Sequence, residues 1–222
     1  MSDAAQQQRK PRVLIADDEG IVAAGIRKLI EPECEVVGLV EEGRALLAEA
    51  ERLRPDIIVM EVLLPLLNGL DAARHLAKVL PESKVVFLTT HASSRHVADA
   101  FKAGASGYIL KRSSPSELSH AIHAVLKGRY YLTPLISKEV LTAGTDSSDK
   151  NAGRATASSL TPRQREVLQL IAEGRGTKEV ATMLNIAVKT VEFHKFRIME
   201  QLNLHSTVAL TKHAIAEGLV GL

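Results

Sequence analysis

The chain has no tryptophan, and its aromatic residues make up only 3% of 222 positions, so its core must be mostly aliphatic. A single cysteine, Cys34, excludes an internal disulfide and fits a reducing compartment. Within "CEVVGLV" it reads as a small core residue. No uninterrupted apolar run approaches the ~18 residues that a membrane span requires. The opening "MSDAAQQQRKPR" lacks the apolar stretch of a signal peptide, so the expectation is a cytoplasmic protein with no membrane partner. A large excess of either charge is lacking as well: 28 basic and 26 acidic side chains leave a formal +2. That excess falls within residues 160–222, which hint at a polyanionic partner. His75, His91, His96, His120, His123 and His213 show no metal-ligand spacing with acids or cysteines. "GASG" (104–107) lacks the rest of a dinucleotide fingerprint and precedes a strand, so it reads as a turn.

The remaining composition, 45% hydrophobic and 24% charged, is that of a globular protein, long enough for one large domain or two small ones. From residue 12 short apolar runs alternate with amphipathic segments. Strands are expected at 12–16, 34–40, 56–60, 84–89 and 106–110, and helices at 20–30, 43–53, 69–79, 94–103 and 115–127. Strand–helix alternation with short connections argues for a five-stranded, doubly wound parallel sheet with helices on both faces. Residues 11–128 form this α/β domain. Residues 129–159 form a linker, with a short helix near 134–142 and then "AGTDSSDKNAGRATASS", a flexible stretch almost without bulky apolar residues. Beyond it, 160–222 has helical periodicity throughout, opening with Thr161 as N-cap and Pro162 at the first helical position.

Ligands of open parallel α/β sheets sit at the carboxyl ends of the strands. There the sequence sets Asp17 and Asp18 after the first strand and Glu61 after the third. Thr89 and Thr90 end the fourth, and Lys111 follows the fifth. Carboxylate oxygens suit a hard cation such as Mg²⁺, while a lysine and a threonine hydroxyl could hold phosphoryl oxygens. "VLIADDE", "PDIIVMEVLLPLLNGLDA", "VVFLTTHA" and "GASGYILKRSSPSEL" resemble the receiver domain of bacterial two-component response regulators, a flavodoxin-like fold. The resemblance implies that Asp17, Asp18, the acceptor carboxylate and the main-chain carbonyl of Leu63 hold Mg²⁺. It implies that Thr89 and Lys111 bind phosphoryl oxygens, and that Tyr108 changes rotamer when the threonine moves. A sensor histidine kinase is the implied partner.

One position departs from this pattern. The family's phosphoacceptor is aspartate, and the matching residue here is Glu61. The extra methylene moves the carboxylate about 1.5 Å towards the metal and Thr89, and phosphoryl transfer depends on such positioning. Glu61 then either stands in for the phosphorylated state or marks a protein uncoupled from its kinase. As an imitation it is partial, since a phosphate carries about −1.5 to −2 and a glutamate −1.

In the C-terminal region, "TKEVATMLNIAVKTVEFHKFRIMEQLNL" gives a helix at 177–184, a tight turn at "NIA" and a second helix at 188–202. Val191, Ile198 and Leu202 form its packing stripe. The opposite side carries Lys189, Glu192, Phe193 and Phe196, flanked by Lys195 and Arg197. Such a pair suits a helix-turn-helix placed in the major groove of double-stranded DNA. The segment from "LTPRQREVLQ" onward resembles the LuxR/NarL-type DNA-binding domain, and the whole chain a NarL/FixJ-subfamily response regulator. That resemblance implies a homodimer on DNA, with contacts from the last helix, 206–217. It places Glu192, Phe193 and Phe196 at base edges and Lys189, Thr190, Lys195 and Arg197 near phosphates. In the resting form the receiver is expected to cover the 188–202 helix.

Two other functions fit parts of the pattern. A phosphohydrolase on a similar sheet would need an aspartate nucleophile directly after the first strand and a capping insertion, and no insertion of suitable length lies near Asp17, so no enzyme is expected. A regulator acting only through protein–protein contacts, independent of phosphorylation, would keep the receiver and never meet DNA.

Overall fold

The computed structural model describes residues 9–136 and 160–221. The flexible stretch expected at 143–159 lies outside them, as does most of the helix expected near 134–142, of which 134–136 are helical. The N-terminal domain runs β1 (Arg12–Ala16), α1 (Gly20–Ile30), β2 (Glu35–Val40), α2 (Gly43–Leu53), β3 (Ile57–Met60), α3 (Gly69–Val79), β4 (Lys84–Thr89), α4 (Ser94–Lys102), β5 (Gly107–Leu110), α5 (Pro115–Leu126) and β6 (Tyr131–Leu132). The sheet is parallel throughout, in the order β2-β1-β3-β4-β5-β6. It therefore has six strands where five were expected. β6 is two residues long, too short to leave an alternating pattern in the sequence.

The strands are apolar on both sides because both faces of the sheet are covered. Along β1, Leu14 and Ala16 point into one layer with Ile58, Met60, Phe87 and Tyr108, packed by α2, α3 and α4. Val13 and Ile15 point into the other with Ile57, Val59, Val86 and Ile109, packed by α1 and α5. The period of two that separates these layers is that of the pleat itself. Strand order reverses between β2 and β3, on either side of β1, so the crevice above β1 and β3 is where helices diverge and a ligand can enter.

The loop from β3 to α3 is shaped by two glycines. A Cβ on Gly69 would lie 2.3 Å from the Glu61 carbonyl oxygen, and one on Gly43 would lie 1.9 Å from that of Leu67. Backbone approaches of this kind admit only glycine. Asn68 closes the loop by capping α3, its side-chain oxygen accepting from the Leu70 N–H at 2.9 Å.

The C-terminal domain consists of α6 (Pro162–Ala172), α7 (Thr177–Leu184), α8 (Val188–Leu202) and α9 (Thr207–Ala216). Thr161 and Gln164 form a reciprocal capping box at the start of α6. Between α7 and α8, Asn185 takes the left-handed conformation (φ 51°), which makes the tight turn. Val167, Leu170, Val180, Val191, Ile198 and Leu210 fill the core, and the N-terminal domain adds one side chain to it, Leu66.

The two domains touch, but not as the sequence suggested. The N-terminal domain does not cover α8, whose outer residues Phe193 and Phe196 are 59% and 63% exposed. It is instead gripped by α6 and the residues after α9. Arg165 makes a forked ion pair with Asp71 (Nη2 to Oδ1 2.6 Å, Nε to Oδ1 2.9 Å), and Arg44 pairs with Glu166 at 3.0 Å. Arg95 at the start of α4 pairs with Glu217. The physical reason is complementarity: Arg165, Glu166, Gln169 and Glu173 present polar groups that match Asp71, Arg44 and the exposed backbone of the loop after β3.

Candidate functional site

Asp17 leaves β1 almost wholly buried, and its Oδ1 accepts the N–H of Glu19 at 3.0 Å. Glu61 leaves β3 at 5% exposure. Lys111, directly after β5, brings its ammonium between them: 2.9 Å from Asp17 Oδ2, 3.1 Å from Glu61 Oε2 and 2.9 Å from Glu19 Oε2. The remaining Glu61 oxygen, Oε1, accepts the N–H of Val62 at 2.6 Å. One cation thus answers three carboxylates, two of them removed from water.

The titration of these groups follows from that geometry. Burial pushes the Asp17 carboxyl above its ordinary value, against the opposing hydrogen bond from Lys111. Burial would lower the Lys111 ammonium, but its bonds to Glu19 and Asp17 and the charge of Glu61 outweigh this and raise it. Glu19 is held below the usual range by its hydrogen bond to Lys111.

Thr89 and Tyr108 complete the arrangement from β4 and β5. Both are fully buried; Thr89 Oγ1 accepts the His91 N–H at 3.2 Å, and the Tyr108 hydroxyl donates to the His91 carbonyl at 2.8 Å. Both therefore meet at the start of the β4–α4 loop. Burial, then the charge of Glu61, pushes the Tyr108 hydroxyl upward.

Asp18, Glu61, Leu63, Thr90, His91 and Lys111 line one cavity of about 450 Å³. Every oxygen offered there suits a hard cation. Asp17, Glu19 and Glu61 gather around the Lys111 ammonium, and among the described residues no three acidic, histidine or cysteine side chains are arranged to cage a metal by themselves. The set fits Mg²⁺ better than zinc or calcium, because Mg²⁺ makes do with one or two carboxylates and completes its shell with water.

The structure thus brings Asp18, Glu61, Leu63 and Lys111 to one cavity at the strand ends, with Asp17 bonded to Lys111, while Thr89 and Tyr108 are fully buried and bond His91 instead of lining it. Sequence reasoning missed two groups. Glu19 was signalled only by its adjacency in "ADDE". Gln169, Glu173 and residues 219–221 line the same cavity from the other domain, and nothing local in the sequence announces a partner so distant in the chain.

The second candidate site is the outer face of α8. Lys189, Glu192, Phe193, Phe196 and Arg197 are exposed there, with Thr190 and Lys195 half-buried. Lys195 donates to Thr207 Oγ1 at 2.9 Å, while Arg197 pairs with Glu200 at 2.8 Å and its guanidinium lies 5.9 Å from the Phe193 ring centre. Val191, Ile198 and Leu202 face inward, as the packing stripe required. No helix among the described residues is long and apolar enough to cross a membrane.

Comparison with known proteins agrees with this geometry. Residues 13–123 match the family described as the response regulator receiver domain, and residues 158–214 that described as bacterial regulatory proteins, luxR family. An uncharacterized transcriptional regulatory protein of Bacillus subtilis, YxjL, is 32% identical over 95% of this chain and 98% of its own. The response regulator UvrY of Escherichia coli is 31% identical over 93% and 94%. The RcsB response regulator of Salmonella typhimurium superposes with a TM-score of 0.62 at 26% identity, covering 96% of this chain and 100% of its own. RcsB has also been seen as dimers bound to DNA, with a TM-score of 0.57, 26% identity and 92% and 98% coverage. A receiver with its acid–lysine cluster at the strand ends, joined to a helix-turn-helix of luxR type, makes this chain a member of the two-component response regulators with LuxR-type DNA-binding domains.

Proposed function

We propose that the chain is a transcriptional response regulator that binds double-stranded DNA as a homodimer, and that Glu61 gives its receiver a standing negative charge in place of a phosphorylatable aspartate. The observation that carries the reading of Glu61 is that both of its oxygens are engaged. One oxygen is held by Lys111 at 3.1 Å and the other by the Val62 N–H at 2.6 Å, at 5% exposure. A nucleophile must reach an incoming phosphorus atom in line, and a carboxylate held at both oxygens inside a buried ion cluster is poorly placed for that. The same carboxylate carries the −1 of an aspartate but on a longer side chain, which sets it against Lys111 at 3.1 Å, where a phosphoryl group would bring more charge.

Asp17, Asp18 and the Leu63 carbonyl would hold Mg²⁺, which supplies neutralisation of phosphoryl charge when bound. Around it, this chain's own residues do the rest: Lys111 orients the acidic cluster, Thr89 offers a hydroxyl, and Asp17 fixes the turn into α1. The sensor histidine kinase of the family remains the chemical partner for this surface, with transfer to position 61 suppressed.

On DNA, Glu192, Phe193 and Phe196 face base edges, where a phenylalanine ring can contact a thymine methyl. Lys189, Thr190, Lys195 and Arg197 neutralise and register the phosphates. Incubation with Mg²⁺ and acetyl phosphate, followed by intact mass measurement, tests the reading of Glu61. An unchanged mass is expected, beside a Glu61→Asp chain that gains one phosphate; a phosphate on Glu61 itself would refute it. Selection of bound sequences from random DNA tests the other half, and no enrichment of any sequence would refute that.

A further inference from the structure

We propose that position 61 controls the DNA-binding domain through the loop that follows it, residues 62–68, with Gln169 of α6 as the group that senses the loop's conformation. The inference rests on the reading of position 61 as the control point. It names a route distinct from the Thr89–Tyr108 pair.

The loop starts at Glu61 itself, because the carboxylate Oε1 accepts the N–H of the next residue, Val62, at 2.6 Å. Further along, Gln169 grips the loop with both ends of its amide. Its Nε2 donates to the Leu64 carbonyl at 2.9 Å, and its Oε1 accepts the Asn68 N–H at 2.7 Å. Glu173, one turn on, accepts the Leu66 N–H at 3.0 Å. Asn68 returns a bond to the C-terminal domain, from Nδ2 to the Leu219 carbonyl at 3.1 Å. Gln169 and Asn68 are each only 1% exposed. A buried amide satisfied at both ends by one loop is sensitive to that loop's shape, because a shift that breaks either bond strands a polar group away from water.

Leu66 carries backbone strain within the docked loop. Its φ is 64°, a left-handed conformation that costs a leucine free energy, and its side chain packs into the core of the C-terminal domain. Within its own domain the turn is held by the Leu67 and Gly43 N–H groups, which donate to the Pro65 carbonyl at 2.8 and 3.0 Å. Docking adds the packing of the Leu66 side chain and the bond from its N–H to Glu173, and both are lost when the domains part.

The same residues close a thermodynamic loop. Gln169, Glu173 and Leu219 line the cavity that holds Glu61 and Lys111. A change at position 61 that disfavours the docked loop releases the C-terminal domain, and a ligand of the pocket that favours release must bind the separated form more tightly by the same factor. Tyr108 bonds the His91 carbonyl rather than the 62–68 loop.

The test measures domain separation without DNA. Spin labels at positions 78 and 182, both exposed, report the interdomain distance of the full chain in a Cys34→Ser background. Gln169→Leu should raise the ratio of separated to docked chains roughly ten- to hundredfold, the effect of losing two buried hydrogen bonds. Glu61→Ala should shift the same ratio when Gln169 is present and add little when it is Leu. Equal shifts in both backgrounds, or none in either, would overturn the route. Should Gln169→Leu fail to fold by circular dichroism, Glu173→Ala removes the bonds that Glu173 accepts from the Leu66 N–H and from Gln169 Nε2 and takes its place in the cycle, with the same criterion. Loss of DNA binding with the distance coupling intact would count against the proposed function and leave the route standing.

Discussion

Lys111→Met removes the cation that three carboxylates share while keeping the length of the side chain. At 2.9 and 3.1 Å, its attractions to Asp17 and Glu61 amount to about 5 kcal/mol each at an effective dielectric of ~20, before the cost of desolvating the groups is counted. Much of that gain is cancelled in the intact site. Removing one partner does not restore the desolvation, since Asp17 and Glu61 stay buried. The expected loss is about 3–5 kcal/mol of receiver stability at pH 7. Urea unfolding followed by circular dichroism measures it, the chain having no tryptophan to follow by fluorescence. The sign with pH is determined. The Lys111 pKa is raised in the folded state, so its contribution is complete below the ordinary value of 10.5 and fades only as pH rises beyond that. The Asp17 pKa is also raised, so its charge destabilises the fold at neutral pH, and protonation relieves this as pH falls through its folded value. The gap between parent and variant should therefore be widest near neutrality and narrow on acidification. A variant as stable as the parent at pH 7, or a gap that grows towards low pH, would refute the account of the cluster.

Gly43→Ala should cost about 1–3 kcal/mol in the same urea assay, since the added carbon meets the Leu67 carbonyl at 1.9 Å and the loop must move. Phe193→Ala should flatten the sequence preference measured by DNA selection more than it lowers overall affinity, whereas an even loss across unrelated sequences would count against base reading. Lys189→Ala should weaken binding to all duplexes alike and reduce the slope of log affinity against log salt by about 1, as expected for a lost phosphate contact.

Much of this architecture was legible because it is local. The continuous apolar runs "RVLIA" and "KVVFLT" and the cap at Thr161 each report on a few neighbouring residues, and β1, β4 and α6 start where those signals stand. The acid–lysine cluster was legible for a different reason. In a parallel sheet all strand ends fall on one edge, so Asp17, Glu61, Thr89 and Lys111 converge by topology. The domain arrangement was not legible. Gln169 reads in sequence as one polar residue in a buried helix, and Asn68 as a helix cap; that they meet depends on surfaces 101 residues apart in the chain. The expectation that α8 would be covered failed on that ground, because its exposed phenylalanines gave no information about which surface α6 would prefer.

Leu66 gives the contact between the halves a thermal character that ion pairs alone would lack. Withdrawing an apolar side chain from a hydrophobic core into water raises the heat capacity, so the docked form draws part of its advantage from a force that weakens on cooling. The balance between joined and separated halves is therefore tied to temperature through one leucine, and cold tilts it towards separation.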